Sequence, residues 1–368
     1  MSTPVAGIAP SSVAASTQTG AAATTPADVA VPDIMAAAVR RRYGAPVEMA
    51  SIAVPQPAAD QVLIRVEAAG IDRGTSHINT GTPYLMRFFG FGLTRPNQPV
   101  LGMDLSGTVV AVGDAVTRFG PGDQVFGIGT GTFARYALAD SSKLSHKPSG
   151  LAHTLAAAVP ISAGAAFQAL TDIGRLQAGQ QVLILGASGG VGSYAVQLAK
   201  AFGADVTGVA SGPKLDLVRS LGADHVIDYR SADPLDGSAS YDLIVDIGGR
   251  RPLRHLRRAL NPRGTLVITG GEGGNRLTGG IGRQVRAMAW SLVIPQRLTF
   301  FIAKEGRESI EALADLLTSG AVAPEVNHVF RLDQVQTALD DLEAGRVRGK
   351  AVIDIAAGHR ASPAGAGE

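Results

Sequence analysis

The chain has 368 residues, which suggests about two domains, and its formal net charge of +2 is too small to indicate a nucleic-acid-binding protein. It contains no cysteine, so disulfides, thiolate catalysis and cysteine-ligated zinc are excluded. The N-terminus lacks the basic region and apolar core of a signal peptide, and the long uncharged windows are interrupted by Gly, Pro, His or polar residues. We therefore expect a cytoplasmic protein that binds neither nucleic acid nor membrane.

The first 32 residues are mainly Ala, Ser, Thr and Pro, and such a segment cannot bury enough apolar surface to offset its ordering entropy. We expect disordered tails at residues 1–32 and 357–368. Residues 33–159 are rich in β signals, with alternating apolar and charged residues at 62–67 and further strands at 102–112 and 124–127. This segment is predicted to form a barrel-like β domain.

Residues 182–185 form an uncharged aliphatic run, which is typical of a strand buried on both faces. The glycine-rich turn that follows can bend sharply and approach a diphosphate, and the next helix offers it free N–H groups and a positive dipole end. From Ala187 the turn has the pattern A-x-G-x-x-G, a variant of the dinucleotide fingerprint. The predicted cofactor contacts here are Ala187, Gly189, Gly190, Val191 and Gly192.

Further strands are predicted at residues 206–209, 226–227, 243–246 and 265–269, with helices between them. This alternation predicts an α/β fold with a doubly wound parallel sheet over residues 160–301. Amphipathic helices are predicted at 307–318 and 333–343, and strands at 326–330 and 351–355. Those last strands have to pair with the β domain, which would then comprise residues 33–159 and 302–356.

A dense basic cluster occupies the segment between the last two strands of this sheet. At helical spacing, leucines at 253, 256 and 260 take one face and the arginines take the other. A solvated helix face is therefore favoured over a nucleic-acid patch. The arginines concerned are Arg250, Arg251, Arg254, Arg257 and Arg258.

Several separate motifs resemble the medium-chain dehydrogenase/reductases, and within them the zinc-free, quinone-oxidoreductase-like branch. They are LGMDLSGTVVAVG, RFGPGDQVFG, AAVPISAGAAFQAL, VLILGASGGVGSYAVQLAK, LGADHVIDYR and RGKAVIDI, and together they cover residues 35–355. The resemblance implies a GroES-like β domain, a Rossmann domain, and a cleft between them for nicotinamide and substrate. It also implies cofactor contacts at Gly270, Gly271 and Lys350.

The resemblance further implies a homodimer. Residues 297–302 are predicted to form a strand with apolar residues on both faces, at the end of the Rossmann sheet. Such an edge is a liability unless it is covered. In the family this strand pairs with its copy in a second subunit.

The chain departs from the zinc-dependent members of the family. Those relatives carry a cysteine ligand at the position of Asp72 and a histidine ligand at the position of Met103, and their four-cysteine structural lobe is absent here. We therefore expect no zinc at the active site. Quinone-reductase relatives often have Asn where this chain has Asp72 and Thr where it has Ala165, and the resemblance implies nicotinamide contacts at both positions.

Without zinc, a substrate carbonyl has to be polarised by hydrogen bonds, and the hydride comes from the nicotinamide. This favours conjugated acceptors, because the developing charge spreads over an enolate or hydroquinone oxygen. The candidate catalytic residues are Tyr84, at the spacing of the family's glycine–tyrosine element, His77, Asp72 and Thr75. For Tyr84 and His77 the alternative is a loop residue whose hydrogen bonds go to the backbone.

The end of the second strand of the sheet indicates NADPH. An NAD site places a carboxylate about 20 residues past the glycine turn, but here the strand runs into Ser211 and Lys214. The hydroxyl can donate to a phosphate and the lysine can neutralise its charge, and Tyr229 matches the tyrosine that flanks the 2′-phosphate in quinone-reductase relatives. The alternative is that Lys214 and Tyr229 are an ordinary helix-start lysine and an ordinary loop aromatic.

We therefore expect an NADPH-dependent reductase of quinones or α,β-unsaturated carbonyls, with a small-molecule substrate. One alternative is a non-catalytic NADPH-binding protein of the same fold. An NAD(P)-dependent alcohol dehydrogenase is less favoured because the metal ligands are missing.

Overall fold

The computed structural model describes residues 31–271 and 274–357. The tails that the sequence analysis expects to be disordered lie outside these residues, apart from Val31, Pro32 and Ala357. Within the described part, no helix is long and apolar enough to cross a membrane.

The strands of the described part belong to three sheets. Their bounds are β1 (Ile34–Val39), β2 (Glu48–Ala53), β3 (Gln61–Ile71), β4 (Asp104–Val112), β5 (Gln124–Ile128), β6 (Tyr136–Asp140), β7 (Leu144–His146), β8 (Gln181–Leu185), β9 (Asp205–Ala210), β10 (His225–Asp228), β11 (Tyr241–Asp246), β12 (Leu260–Ile268), β13 (Arg297–Phe300), β14 (Val326–Arg331) and β15 (Lys350–Asp354).

The α-helices lie mainly in the second half of the chain. They are α1 (Arg73–Thr80), α2 (His153–Ala156), α3 (Pro160–Gln168), α4 (Gly190–Ala201), α5 (Leu215–Ser220), α6 (Leu253–Arg258), α7 (Ile281–Ser291), α8 (Arg307–Thr318) and α9 (Val335–Glu343). A π-helical turn, Ala169–Ile173, continues α3, and short 3₁₀ turns occupy Tyr84–Phe88, Ser141–Lys143, Gly212–Lys214 and Leu332–Gln334.

The six-stranded sheet is parallel throughout and has the order β10-β9-β8-β11-β12-β13. This is the order 3-2-1-4-5-6 of a Rossmann fold, so the predicted doubly wound sheet is confirmed. Its central strands are aliphatic and buried on both faces because helices cover the sheet on each side. The chain reverses its direction of winding between β8 and β11, and a ligand crevice is expected at that point.

The seven-stranded sheet has the order β14-β15-β3-β4-β5-β7, and β6 pairs with β3. Strand β15 runs antiparallel to β3, and β14 runs parallel to β15. The C-terminal strands therefore complete the sheet that begins with β3, as the sequence analysis expects. Together with the β1–β2 hairpin, these strands form the GroES-like half of the α/β fold, which has its own buried core.

Candidate active site

A cavity of about 660 Å³ opens at the carboxyl ends of β8 and β11, where the winding of the sheet reverses. Its walls come from the glycine turn, the ends of β11 and β12, helix α1 and the segment that leads into β15. Its lining residues are Ile71, Asp72, Arg73, Gly74, His77, Ile161, Ser162, Ala165, Leu185, Gly186, Gly189, Gly190, Val191, Val209, Tyr229, Asp246, Ile247, Gly248, Arg250, Arg251, Thr269, Gly270, Gly271, Leu342, Val347, Gly349 and Lys350.

The glycine turn fits a diphosphate. Gly186 has a φ of +93°, which favours glycine, and Gly189 is the extended residue that precedes α4. A Cβ at Gly189 would meet only the Gly186 carbonyl, at 3.5 Å, so the space above the helix N-terminus is open. Free N–H groups and the positive end of the α4 dipole face this space, which is how proteins bind phosphate groups.

The residues predicted to contact the cofactor at this turn do not all line the cavity. Gly189, Gly190 and Val191 line the cavity, whereas Ala187 and Gly192 lie behind it. A Cβ at Gly192 would overlap the Gly186 carbonyl at 2.1 Å, so this glycine allows α4 to pack closely on the turn that follows β8. Gly270 and Gly271, which follow β12, also line the cavity, and their contact with a cofactor stays a prediction.

The predicted 2′-phosphate residues do not lie together on the cavity wall. Tyr229 lines the cavity and is 48% exposed, while Ser211 and Lys214 are outside the lining. The Lys214 ammonium donates to the carbonyls of Gly345 and Val347, at 2.9 and 2.8 Å. Burial lowers the pKa of Lys214, and nearby Arg348 lowers it further. No hydrogen bond of Lys214 in the described part goes to a carboxylate, so its charge remains available to an anion.

One acid near this position escaped the sequence analysis. A side chain at Gly212 would meet the carboxylate of Asp228, which ends the neighbouring strand β10. Asp228 is in turn held by the Arg230 N–H, at 2.9 Å. Strand β9 itself ends without an acid, as predicted. The parallel pairing of β10 with β9 nevertheless brings the Asp228 carboxylate close to the end of β9.

Helix α1 places its first turn on the cavity. The Asp72 carboxylate caps the helix by accepting from the Thr75 N–H at 2.8 Å and from the Thr75 hydroxyl at 3.2 Å. Thr75 is buried and does not line the cavity, whereas His77 does. Of the predicted catalytic residues, Asp72 and His77 are therefore the two that reach the space available to a substrate.

Tyr84, predicted as a catalytic residue, lies away from the cavity. Its ring packs under the Arg87 guanidinium, 4.5 Å from the ring centroid, and its N–H donates to the Arg276 carbonyl at 2.8 Å. The Arg87 guanidinium also lies over the ring of Tyr43, 4.2 Å from that ring centroid. Tyr84 thus ties the segment after α1 to the loop after β12.

Lys350 lies in a buried polar cluster at the start of β15. Its ammonium is 3.3 Å from the Asp104 carboxylate and 3.0 Å from the Ser162 hydroxyl, and all three side chains are about 1% exposed. The second carboxylate oxygen of Asp104 accepts from the Ile161 N–H at 2.8 Å. Burial raises the pKa of Asp104 to about 7, since Lys350 offsets only part of the desolvation and Asp72 adds repulsion.

Asp246, at the end of β11, is a site residue that the sequence analysis missed. Its position could have indicated it, since an acid at the carboxyl end of a central parallel strand lies at the ligand crevice. It is almost fully buried, lines the cavity and forms an ion pair with Arg283 of α7. Burial raises its pKa and Arg283 opposes the shift. Its carboxylate also accepts from the Gly249 N–H at 3.1 Å, so it fixes the turn after β11.

The placement of the arginine cluster on one helix face is wrong for two of its members, although one of them, Arg250, is exposed as predicted. Helix α6 begins only at Leu253, and Arg254, Arg257 and Arg258 are exposed on it as predicted. Arg250 and Arg251 precede the helix and line the cavity. The Leu260 that was counted on the helix opens β12 instead, because the helix ends at Arg258.

The fold and the cavity define a two-part α/β protein with a dinucleotide-type crevice between a Rossmann sheet and a GroES-like half. Two family models match the chain. The alcohol dehydrogenase GroES-like domain covers residues 58–149, and the zinc-binding dehydrogenase model covers residues 221–353.

Curated relatives extend over most of the chain. The mitochondrial NAD(P)H oxidoreductase RTN4IP1 of Bos taurus is 33% identical over 80% of this chain and 82% of its own length. The 2-methylene-furan-3-one reductase of Solanum lycopersicum is 32% identical over 94% of this chain and 85% of its own length. Among solved structures, the quinone oxidoreductase of Coxiella burnetii has a TM-score of 0.77 at 26% identity and covers 88% of this chain and 99% of that one.

The chain belongs to the medium-chain dehydrogenase/reductase superfamily and to its quinone-oxidoreductase-like branch, as the resemblance of its motifs indicates. One matching model is described as zinc-binding, but no group of three or more His, Cys, Asp or Glu in the described residues could hold a metal ion. Asp72 serves as a helix cap, and Met103 has a thioether.

Proposed function

We propose that this chain is an NADPH-dependent reductase of quinones or α,β-unsaturated carbonyls that works without zinc. The observation that carries the proposal is the convergence of the open glycine turn and the first turn of α1 on one cavity. One wall suits a dinucleotide, and the other presents polar groups to a substrate. The relatives named as an NAD(P)H oxidoreductase, a 2-methylene-furan-3-one reductase and a quinone oxidoreductase support the same reaction class.

In this proposal the glycine turn and α4 would hold the cofactor's diphosphate, and Thr269, Gly270 and Gly271 would contact another part of the cofactor, since they line the same cavity. The bound cofactor supplies a hydride to the conjugated acceptor. Lys214, Ser211 and Tyr229 would hold the 2′-phosphate. Within the described residues the Lys214 ammonium donates to two neutral carbonyls, and Arg348 adds a second positive charge nearby.

The substrate carbonyl is polarised from the side of α1. Of the two candidate proton donors in the sequence, His77 lines the cavity and Tyr84 does not. We therefore assign His77 as the group that donates a hydrogen bond or a proton to the oxygen of the acceptor. Asp72 orients the first turn of α1 by capping it, and it places a negative charge beside the cavity.

The proposal is tested by following NADPH oxidation with simple enones and quinones, with the matching saturated ketones as the control. Turnover of the conjugated acceptors, unchanged after a chelator wash, is the expected result. Tight NADPH binding without turnover of any acceptor would favour the non-catalytic alternative. Turnover of saturated ketones that requires added zinc would favour an alcohol dehydrogenase.

Two further parts of the proposal concern the whole protein. We infer a homodimer that pairs through the outer edge of β13, which no strand of the described residues covers. A cytoplasmic location is kept as a prediction, although the bovine relative is named as mitochondrial. Fractionation of the native cells with an antibody against this chain measures the location directly.

A further inference from the structure

The buried cluster of Lys350, Asp104 and Ser162 joins both halves of the molecule. Lys350 opens β15 and Asp104 opens β4, both in the GroES-like half, while Ser162 lies on α3, which leads into the Rossmann sheet. A buried ion pair of this kind costs desolvation free energy, so it is weak evidence for a stabilising role. Its position at the cavity instead indicates a role in ligand binding.

The cluster lies directly against the glycine turn. A Cβ at Gly190 would be 3.1 Å from the Lys350 side chain and 3.2 Å from the Ser162 hydroxyl. The Gly349 N–H donates to the Ser188 carbonyl at 3.0 Å, which fixes the start of β15 beside the turn. The Lys350 ammonium is therefore held next to the space where a diphosphate would bind, and Lys350 and Ser162 both line the cavity.

The net charge of the cluster depends on Asp104. When its carboxylate is ionised, it neutralises the ammonium of Lys350 at 3.3 Å. When it is protonated, one positive charge remains beside the turn, with little water to screen it because both side chains are buried. An anionic cofactor is attracted more strongly in the second case.

We propose that Asp104 is a positioning residue that, with Ser162, holds the Lys350 ammonium against the glycine turn and takes up a proton when the cofactor's diphosphate binds. This inference rests on the proposed function, because it presumes that the turn binds a dinucleotide. It assigns to Asp104 a role in the strength of cofactor binding and in its dependence on pH.

The surroundings of Asp104 agree with such a role. The titratable groups that face it are Lys350 from β15, Asp72 at the start of α1 and Tyr194 from α4. Burial raises the pKa of Asp104 to about 7, so its charge changes near neutral pH. Burial and the charge of Asp104 both raise the pKa of Tyr194, which therefore stays protonated. A diphosphate nearby disfavours the Asp104 anion further.

The test is calorimetric titration of the full chain with NADH and NADPH, from about pH 6 to pH 8.5, in buffers of different ionisation enthalpy. NADH is included because the 2′-phosphate of NADPH itself titrates near pH 6. The unmutated protein should take up a fraction of a proton, and its Kd should rise severalfold across this range. Asp104→Asn should bind tightly throughout, with no proton uptake from this site.

Asp315→Asn, which removes one exposed acid from α8, is the matched control and should keep the pH dependence of the unmutated protein. If Asp104→Asn does not fold, Lys350→Met takes its place, because an unpaired Asp104 stays protonated and the pH dependence is lost. Proton uptake that persists in both variants, or that is absent from the unmutated protein, overturns the inference. Failure of the unmutated protein to bind either dinucleotide would instead contradict the proposed function.

Discussion

His77 and Tyr84 can be separated by one pair of substitutions. If His77 polarises the acceptor, His77→Phe should lower kcat by about ten- to a thousandfold while the Kd for NADPH stays the same. Tyr84→Phe is the matched control, since its ring stacking under Arg87 survives loss of the hydroxyl, and turnover should change little. Steady-state kinetics and a fluorescence titration of NADPH measure both effects. The reverse pattern, with Tyr84→Phe inactive and His77→Phe active, would return the role to Tyr84.

Lys214 should determine the choice between the two dinucleotides. The unmutated protein is expected to bind NADPH at least about tenfold more tightly than NADH, a difference of about 1.4 kcal/mol. Lys214→Ala should remove most of that difference, because it removes the cation that the 2′-phosphate would pair with. Fluorescence titrations of both dinucleotides at moderate salt give the ratio. Asp216→Ala, an exposed acid two residues further on, controls for general changes in charge. Equal affinities for the two dinucleotides in the unmutated protein would rule out the assignment.

Asp104 should also make the free energy of unfolding depend on pH. Its pKa is raised by burial from 3.8 to about 7, so the folded protein favours the protonated form. Stability from this group is therefore present below about pH 4 and is lost as the pH rises towards 7, by at most a few kcal/mol at about 1.4 kcal/mol per unit. Urea unfolding at about pH 5 and pH 8 should show a larger loss for the unmutated protein than for Asp104→Asn. An identical loss in both proteins would show that Asp104 titrates at its ordinary value.

Residue types and spacing predicted which segments form the site but not where each side chain points. His77 and Tyr84 were both candidates from the same polar stretch, and the turn of backbone after α1 places only one on the cavity. Arg250 directly follows Gly249 and is exposed as predicted, but it precedes α6 and lines the cavity, which a helical pattern alone does not indicate. Asp228 approaches the end of β9 through strand pairing, which a local sequence pattern does not contain.

At the scale of the elements, the glycine turn leaves no space for a side chain at Gly192. A Cβ at Gly192 would lie 2.1 Å from the Gly186 carbonyl, so Gly192→Ala has to push α4 away from the turn that follows β8. We expect a loss of about 1–3 kcal/mol in the free energy of unfolding, as for other overpacked sites. Gly282→Ala on α7 is the matched control, because its Cβ would have open space and alanine favours a helix by up to about 1 kcal/mol. Thermal unfolding compares the two, and a harmless Gly192→Ala would mean that the turn relaxes.

Elements with a strong periodic signal were predicted to within one or two residues. The aliphatic run at 182–185 corresponds to β8 (Gln181–Leu185), and the strand predicted at 206–209 corresponds to β9 (Asp205–Ala210). These strands lie at the centre of the sheet, so burial on both faces demands an uninterrupted apolar sequence. The arginine-rich helix was extended too far because Leu260 continues the helical spacing by coincidence and belongs to the next strand.

At the scale of the whole molecule, the edge of the six-stranded sheet indicates pairing with a second copy of this chain. Strand β13 is at the edge of the six-stranded sheet, and no described strand pairs with its outer side. Next to it, Leu292, Val293 and Ile302 are 81–86% exposed, which is unusual for aliphatic side chains. An uncovered edge with exposed apolar neighbours is expected to pair with a second copy about a twofold axis.

The double substitution Val293→Glu with Ile302→Glu should convert this dimer into a monomer. Both side chains are exposed in the single chain, so the fold should survive, while a twofold interface would gather four new negative charges and lose apolar burial. Val329→Glu, on β14 at the edge of the other sheet and 55% exposed, is the control that should leave the dimer intact. Light scattering at micromolar concentration measures the mass of each variant. A monomeric unmutated protein would refute the dimer, and a dimeric double variant would place the interface on another surface.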